Sequence, residues 1–439
     1  MSTLKNVHTD LSESQALFEI GQRYLPGGVS GPGRSADRDI GHPFYVDHAQ
    51  GSRIWDVEGR EYIDFQTSFG AGLLGHGHPR IASALEKAIK MGNLCALETE
   101  EHIRTAQKLC ELIPSFDMVR FSGSGTETTW HVVKLARVAT KRDKIVKFEG
   151  HFHGYNEYLQ YNMSPPLDKT LPNLHVESPG FPASLQDLIY VLPFNDFDAI
   201  EQTLAEHHDD IAGVILEPVN YNAGCILPRP GYLEHLRELT RRYDVLLIFD
   251  EILSAFKTGP NCIQGHYDVT PDLATIGKTL GGGTAMSAFG GRRDLMDLIL
   301  PVGPVIHTGT FVGQLLPVMA TGAFLEVITE PDFYPTLLGN CEYLYKNLRD
   351  CLARHGVKGR VQSLGARFTV LFGIEEEPIN YQDVVRQDGA FAHRVFIEAY
   401  RRGLWIPANG HIGISSAHSR TDIDTALSII DDVLQVLST

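Results

Sequence analysis

The sequence predicts an α/β fold organised around a largely parallel sheet, and two features carry that prediction. Between residues 119 and 291 lie six short, nearly unbroken apolar runs: "VRFSG", "KIVKFEG", "IAGVILEP", "VLLIFDE", "LATIGK" and "SAFGG". Helical stretches separate several of them, and strands that are apolar on both sides belong to a sheet covered on both faces. The second feature is length. A chain of 439 residues is too long for one small core and implies two or three packed units.

Taken in order, residues 1–75 are mixed. "ALFEIGQRYLPGG" reads as a short helix stopped by Pro26 and two glycines, and "SRIWDVEGREYIDF" as a hairpin about its "DVEGRE" turn. "HPRIASALEKAIKMG" has helical spacing and ends in glycine. After the strand "VRFSG" comes a helix, "TETTWHVVKLARVATKR", with Val132, Leu135, Ala136 and Ala139 on one face. A further helix is expected near 230–243, between "IAGVILEP" and "VLLIFDE". From about residue 326 the chain turns helix-rich, beginning with "FYPTLLGNCEYLYKNLRDCLARHG", with strands expected at "ARFTVLFG" and "GLWIPA". No repeat or flexible linker separates these parts, so the terminal segments are expected to pack onto the central unit.

Composition narrows the function. A formal charge of −16 disfavours nucleic acid or an anionic membrane as main partner. The six cysteines form no C-x-x-C pair, so no zinc or redox motif arises, and they read as reduced core residues of a cytoplasmic protein. No metal site is expected. The opening "MSTLKNVHTDLSESQALFEI" lacks the apolar core of a secretory signal. No apolar run approaches the roughly 20 residues that span a bilayer.

Chemistry-bearing residues gather at strand ends, where an open parallel sheet binds ligands. In "VRFSGSGTETTW", Gly123, Ser124, Gly125 and Thr126 stand between a strand and a helix start. Their N–H groups and hydroxyls suit a phosphate, although the pattern is also that of an ordinary helix cap. Asp250 closes the most apolar strand. It serves either as a cap or ion-pair partner, or as a carboxylate that fixes the charge of a buried basic nitrogen. Lys278, just before Gly281–Gly283, is either a surface lysine or a desolvated amine poised to attack carbonyls. Phe152, in "GHFHG", offers a flat aromatic after a strand. A phosphate cradle, a carboxylate for a pyridinium nitrogen and a Schiff-base lysine are together what pyridoxal 5′-phosphate (PLP) requires of a protein.

Ten stretches in order, "LPGGVS", "LLGHGHP", "FSGSGTET", "RDKIVKFEGHFHG", "ILEPV", "LLIFDEI", "YDVTPDLATIGKTLGGG", "SAFGGRRDLM", "HTGTF" and "AHSRTDID", resemble the class III aminotransferases, within the subgroup of glutamate-1-semialdehyde aminomutase. The resemblance implies PLP fold-type I, as in aspartate aminotransferase. A large domain with a mainly parallel seven-stranded sheet spans residues 76–325. A smaller α+β domain is built from residues 1–75 and 326–439. By the same resemblance Lys278 carries the cofactor and Asp250 keeps its pyridine nitrogen protonated. Ile252 and Phe152 sandwich the ring, Ser124, Gly125 and Thr126 hold the phosphate, and Glu217 and His153 lie near the ring. Thr310 reaches the phosphate of a neighbouring subunit, which implies a homodimer with shared sites.

The departures bear on substrate. Many ω-aminotransferases of the class pair a mobile arginine with a glutamate five residues after the E-P glutamate; that position is Asn222 here, and "IPANGHIGISSAHS" holds no arginine. Gly410 and His411 stand where the aminomutase has a glutamate, and Phe69 where it has tryptophan. Arg34 aligns with the aminomutase's carboxylate-binding arginine, with Arg38 and Arg367 as rivals. The reading is an aminotransferase acting on an amino acid with a bulky or aromatic side chain, of D-α or β type, and a keto or aldehyde acceptor. Its rivals are a 2,1-aminomutase, a PLP-dependent racemase or epimerase, and a non-catalytic PLP-binding protein.

Overall fold

The computed structural model describes residues 12–92, 94–407 and 410–438. Met1–Leu11, part of the stretch read for a signal, and Ala408 and Asn409 of the C-terminal stretch lie outside them. The predicted hairpin is present: β2 (Arg53–Asp56) pairs antiparallel with β3 (Glu61–Asp64), and β1 (Val46–Gln50), which the reading missed, pairs with β2.

The central sheet has seven strands: β4 (Met118–Ser122), β5 (Lys144–Phe148), β6 (Ile189–Leu192), β7 (Ile211–Leu216), β8 (Leu246–Glu251), β9 (Leu273–Ile276) and β10 (Ser287–Gly291). Their order is β4-β10-β9-β8-β7-β5-β6, and all neighbours are parallel except those of β10, which runs antiparallel to β4 and β9. Six coincide with the six apolar runs. The seventh, β6, lies at the sheet edge and is mostly half-buried, so its sequence lacks the two-sided apolar signature.

The two faces of this sheet have separate cores. Val214, Leu216, Leu247, Phe249 and Ile276 join one apolar cluster; Ile215, Leu246, Ile248 and Leu273 join another, against Val132, Leu135 and Ala136 of the helix Gly125–Thr140. Along β8 the alternation has period two, as pleating requires.

A third set of strands comes from the C-terminal region: β11 (Gly359–Leu364), β12 (Arg367–Phe372), β13 (Leu404–Trp405) and β14 (Ile412–Gly413). β11-β12-β14 form an antiparallel sheet, and β13 adds parallel to β3. Chain segments some 340 residues apart thus share one sheet. The helix Phe333–Arg354 is present as read, and helices Gly389–Arg401 and Arg420–Leu437 complete this region. Cys225, Cys262, Cys341 and Cys351 are buried, whereas Cys95 and Cys110 are half-buried rather than core residues. No helix among the described residues is long and apolar enough to cross a membrane.

Candidate active site

β8 delivers two acids to opposite faces of the central sheet. Asp250 shares the face of Leu246 and Ile248, and Glu251 that of Leu247 and Phe249. Their surroundings differ accordingly. Glu251 accepts from the Ile263 N–H at 2.6 Å and the Gln264 amide at 2.9 Å, tying down the loop that follows the strand, and burial raises its carboxyl to about 7. Asp250 faces a cavity of about 300 Å³. Its Oδ2 lies 2.7 Å from His153 Nδ1, and its Oδ1 accepts from the Thr275 hydroxyl at 2.9 Å and the Ile252 N–H at 3.0 Å.

The His153 ring is buried, and burial lowers its pKa, so Nδ1 carries the proton it shares with Asp250. Its other nitrogen, Nε2, has no hydrogen-bond partner. Glu217, just past β7, accepts from the Phe152 N–H at 2.8 Å and from the Asn222 amide at 2.8 Å. Burial pushes its carboxyl up, and the charge of Asp250 adds to the effect. Lys278 opens the turn Lys278–Gly281, two residues beyond β9, with φ at +45°. That conformation is rare for a residue with a side chain. Burial pushes its ammonium pKa down, and the Arg367 charge pushes it further.

The phosphate cradle of the sequence reading takes a narrower form. Ser124 caps the helix Gly125–Thr140, and the Glu127 carboxylate accepts from the Gly123 N–H at 2.7 Å and the Ser124 N–H at 3.2 Å. This capping box occupies two of the four N–H groups offered to an anion and leaves those of Gly125 and Thr126. Two glycines keep the wall close. A Cβ on Gly125 would stand 3.1 Å from Ile252 Cγ2; one on Gly277 would meet Ile252 Cδ1 at 2.9 Å and Ser287 Oγ at 2.5 Å.

Ser124, Gly125, Thr126, Phe152, His153, Glu217, Asp250, Ile252 and Lys278, all singled out in the sequence, therefore border one cavity, as do Gly123, Asn222 and Gly283. Three do not. Arg34 is exposed, with Nη1 2.6 Å from the Ser30 hydroxyl, and it borders a separate groove together with Phe69. Thr310 is exposed on the loop after β10. Of the rival arginines, Arg38 is exposed beside Asp39, and Arg367 is buried.

Sequence reasoning missed several supporting groups. Thr275 is a lone hydroxyl inside the apolar strand "LATI", and that interruption was its signal. Lys147 is a second interruption, within "KIVKF". Its buried Nζ donates to the carbonyls of His151, Leu159 and Tyr161 at 2.6–3.1 Å, fixing the loop that carries Phe152 and His153.

The residues present fit PLP. Two helix-terminal N–H groups face the cavity, an oriented carboxylate and an amine lie across it, and two glycines leave no room for side chains that would fill it. This set of donors, on a mostly parallel seven-stranded sheet, defines a PLP enzyme of fold-type I. More particularly, the chain belongs to the class III aminotransferases, whose family model, "Aminotransferase class-III", matches residues 35–434. It is a PLP-dependent aminotransferase. Among solved structures it is similar to an omega-transaminase from Sphaerobacter thermophilus, with 30% identity over 97% of this chain and 98% of that one and a TM-score of 0.91. A beta-phenylalanine aminotransferase from Variovorax paradoxus shares 29% identity over 96% and 94%, TM-score 0.87. A glutamate-1-semialdehyde-aminomutase from Pseudomonas aeruginosa PAO1 shares 25% over 97% and 94%, TM-score 0.87.

Proposed function

We propose that this aminotransferase moves an amino group between an amino acid with a bulky apolar or aromatic side chain, of D-α or β type, and a keto or aldehyde acceptor. The observation that carries the substrate reading is the bond from Asn222 to Glu217. An acid at position 222 could hold a mobile arginine; an amide engaged with Glu217 cannot. Similarity to a beta-phenylalanine aminotransferase supports the same direction.

Bound PLP supplies an aldehyde for amines to condense with and a protonated ring that withdraws electrons from the carbon beside the nitrogen. The protein's own groups do the rest. Lys278, its pKa lowered by burial, holds the cofactor and then takes and returns the proton at the substrate carbon. Asp250 would pair with the ring nitrogen, and His153 and Thr275 fix its rotamer. Phe152 and Ile252 would flank the ring, Glu217 would lie near it, and Gly125, Thr126 and the Ser124 hydroxyl would hold the phosphate.

We further propose a cytoplasmic homodimer with shared sites. The loop bearing Thr310 exposes Val302, Ile306 and Phe311, an apolar group of the kind that marks an interface. Thr310 would reach the partner's cofactor phosphate.

A donor–acceptor panel tests the substrate reading. Aromatic D-α- and β-amino acids, small L-amino acids and linear ω-amines would each be offered with pyruvate and with 2-oxoglutarate. The aromatic acids are expected to react fastest. Turnover of linear ω-amines alone overturns the reading.

A further inference from the structure

Arg367 begins β12 and is 1% exposed, the largest of the fully buried side chains. A buried guanidinium ordinarily has a carboxylate beside it, because an uncompensated charge in the interior is costly. This one does not. Among the described residues its Nε and Nη1 have no hydrogen-bond partner, and its Nη2 lies 3.5 Å from His411 Nδ1, at the outer limit of a hydrogen bond. His411 brings no negative charge; burial and the nearby cations hold its pKa down to about 3, so it is neutral. Of the other groups that sense its charge, Tyr221, Cys225 and Tyr345 are held protonated by burial, and Glu217, whose carboxyl burial also pushes up, is bonded to Phe152 and Asn222 rather than to Arg367. Lys278 and the buried Lys257 both sense the guanidinium, and the Lys257 amine is already engaged with the Gly70 carbonyl at 2.5 Å and the Thr279 hydroxyl at 2.6 Å.

The position of this cation links it to the cavity. Its Nη1 lies 2.8 Å from the point where a Cβ on Gly70 would stand, and Leu253 Cδ1 is equally close to that point. Leu253 and Ala71, the residue after Gly70, line the Lys278 cavity. Phe69, edge-on to His411 at 5.6 Å, borders the outer groove. The turn that covers Arg367 holds three successive residues, Thr67, Ser68 and Phe69, at φ +48°, +53° and +55°. Such backbone is strained for residues with side chains.

We infer that Arg367 is the specificity-determining cation of this site, binding the carboxylate of the amino acid substrate through the Nη1–Nη2 end of its guanidinium, with the unpartnered Nη1 beside Gly70 and Nη2 giving up its long contact to His411. The inference deepens the proposed function and rests on it for the identity of the anion as a substrate. A guanidinium edge presents two parallel N–H groups that match one carboxylate, a geometry that lysine cannot offer. Arg34, exposed and bonded to Ser30, is the competing cation.

The test uses the holoenzyme and two inert probes without an amino group, 3-phenylpropanoate and its neutral amide, with binding measured by calorimetry. Wild type is expected to prefer the acid by at least about tenfold. Arg367→Met should weaken acid binding on the order of 30-fold, about 2 kcal/mol, and leave amide binding within about threefold; Arg367→Lys should restore part of the loss. Arg34→Ala should keep the preference. Equal binding of acid and amide by wild type overturns the inference, as does loss of the preference in Arg34→Ala or its survival in a folded Arg367→Met. Should Arg367→Met not fold, Arg367→Lys is read instead: it keeps the charge and loses the fork, so acid binding should weaken by at least about threefold with amide binding unchanged, and an acid preference equal to that of wild type overturns the inference. Because neither probe is turned over, these results stand apart from the donor–acceptor panel. A panel with no turnover overturns the proposed function, whereas indifference to the probe's carboxylate overturns only the role of Arg367.

Discussion

Asp250→Asn removes a charge and keeps the shape, so it isolates the contribution of the carboxylate. Two donors, the Thr275 hydroxyl and the Ile252 N–H, converge on Oδ1, and the asparagine oxygen accepts both. The asparagine nitrogen then faces His153 Nδ1. His153 accommodates it by moving its proton to Nε2, which has no partner to lose. The structural cost is therefore small, about 1 kcal/mol. The functional cost is larger. Losing one member of a buried, hydrogen-bonded charge pair costs roughly 2–5 kcal/mol. If that loss falls on the proton-transfer step, the rate drops about 30- to 5,000-fold at 1.36 kcal/mol per tenfold. The assay is stopped-flow absorbance of the holoenzyme in a single turnover with a saturating aromatic amino acid, with the thermal midpoint as control. A rate within threefold of wild type at an unchanged midpoint would refute the carboxylate's role.

Lys278→Ala should abolish turnover while the cofactor still binds non-covalently; residual activity within tenfold of wild type would sink the assignment. Gly277→Ala places a Cβ 2.5 Å from Ser287 Oγ and 2.9 Å from Ile252 Cδ1, so Ile252 is pushed toward the cavity. Cofactor affinity should fall at least about tenfold, measured by fluorescence titration of apoenzyme, and unaltered affinity argues against a close fit. His131 and His307 meet edge-on at 4.4 Å, and burial holds both down to about 4. Unfolded histidines take up protons below about 6.5. The unfolded chain thus binds more protons between that pH and 4, and stability should fall as pH drops through this window. His131→Gln should reduce the pH slope of the denaturant midpoint by about one proton, and an unchanged slope contradicts the linkage. In sedimentation across a dilution series the protein should remain dimeric wherever it is active; a fully active monomer would contradict shared sites.

The residues that suit PLP were legible because of where they interrupt apolar runs. Asp250 and Glu251 close a strand that is otherwise fully apolar, and Lys278 follows another. Polar groups in such places are costly, so their presence calls for a ligand. The six apolar runs became strands for a related reason: two-sided burial needs an unbroken apolar sequence. β6 escaped notice because an edge strand does not need one.

Side-chain alternation assigned Asp250 and Glu251 to opposite faces, yet the sequence does not say which face holds the cavity. That depended on the helix Gly125–Thr140 packing over the face of Ile248. Capping likewise reduced the phosphate cradle, because Glu127 folds back on two of its N–H groups. The arginines make the distinction clearest. In sequence, Arg34, Arg38 and Arg367 differ only in motif. In the folded chain, β14 and the turn Thr67–Gly70 close over Arg367 from positions about 45 residues after it and 300 before it, while Arg34 stays exposed. Local composition determined which groups are chemically able to act. Contacts distant in sequence decided which of them lost water, and with it their ordinary partners.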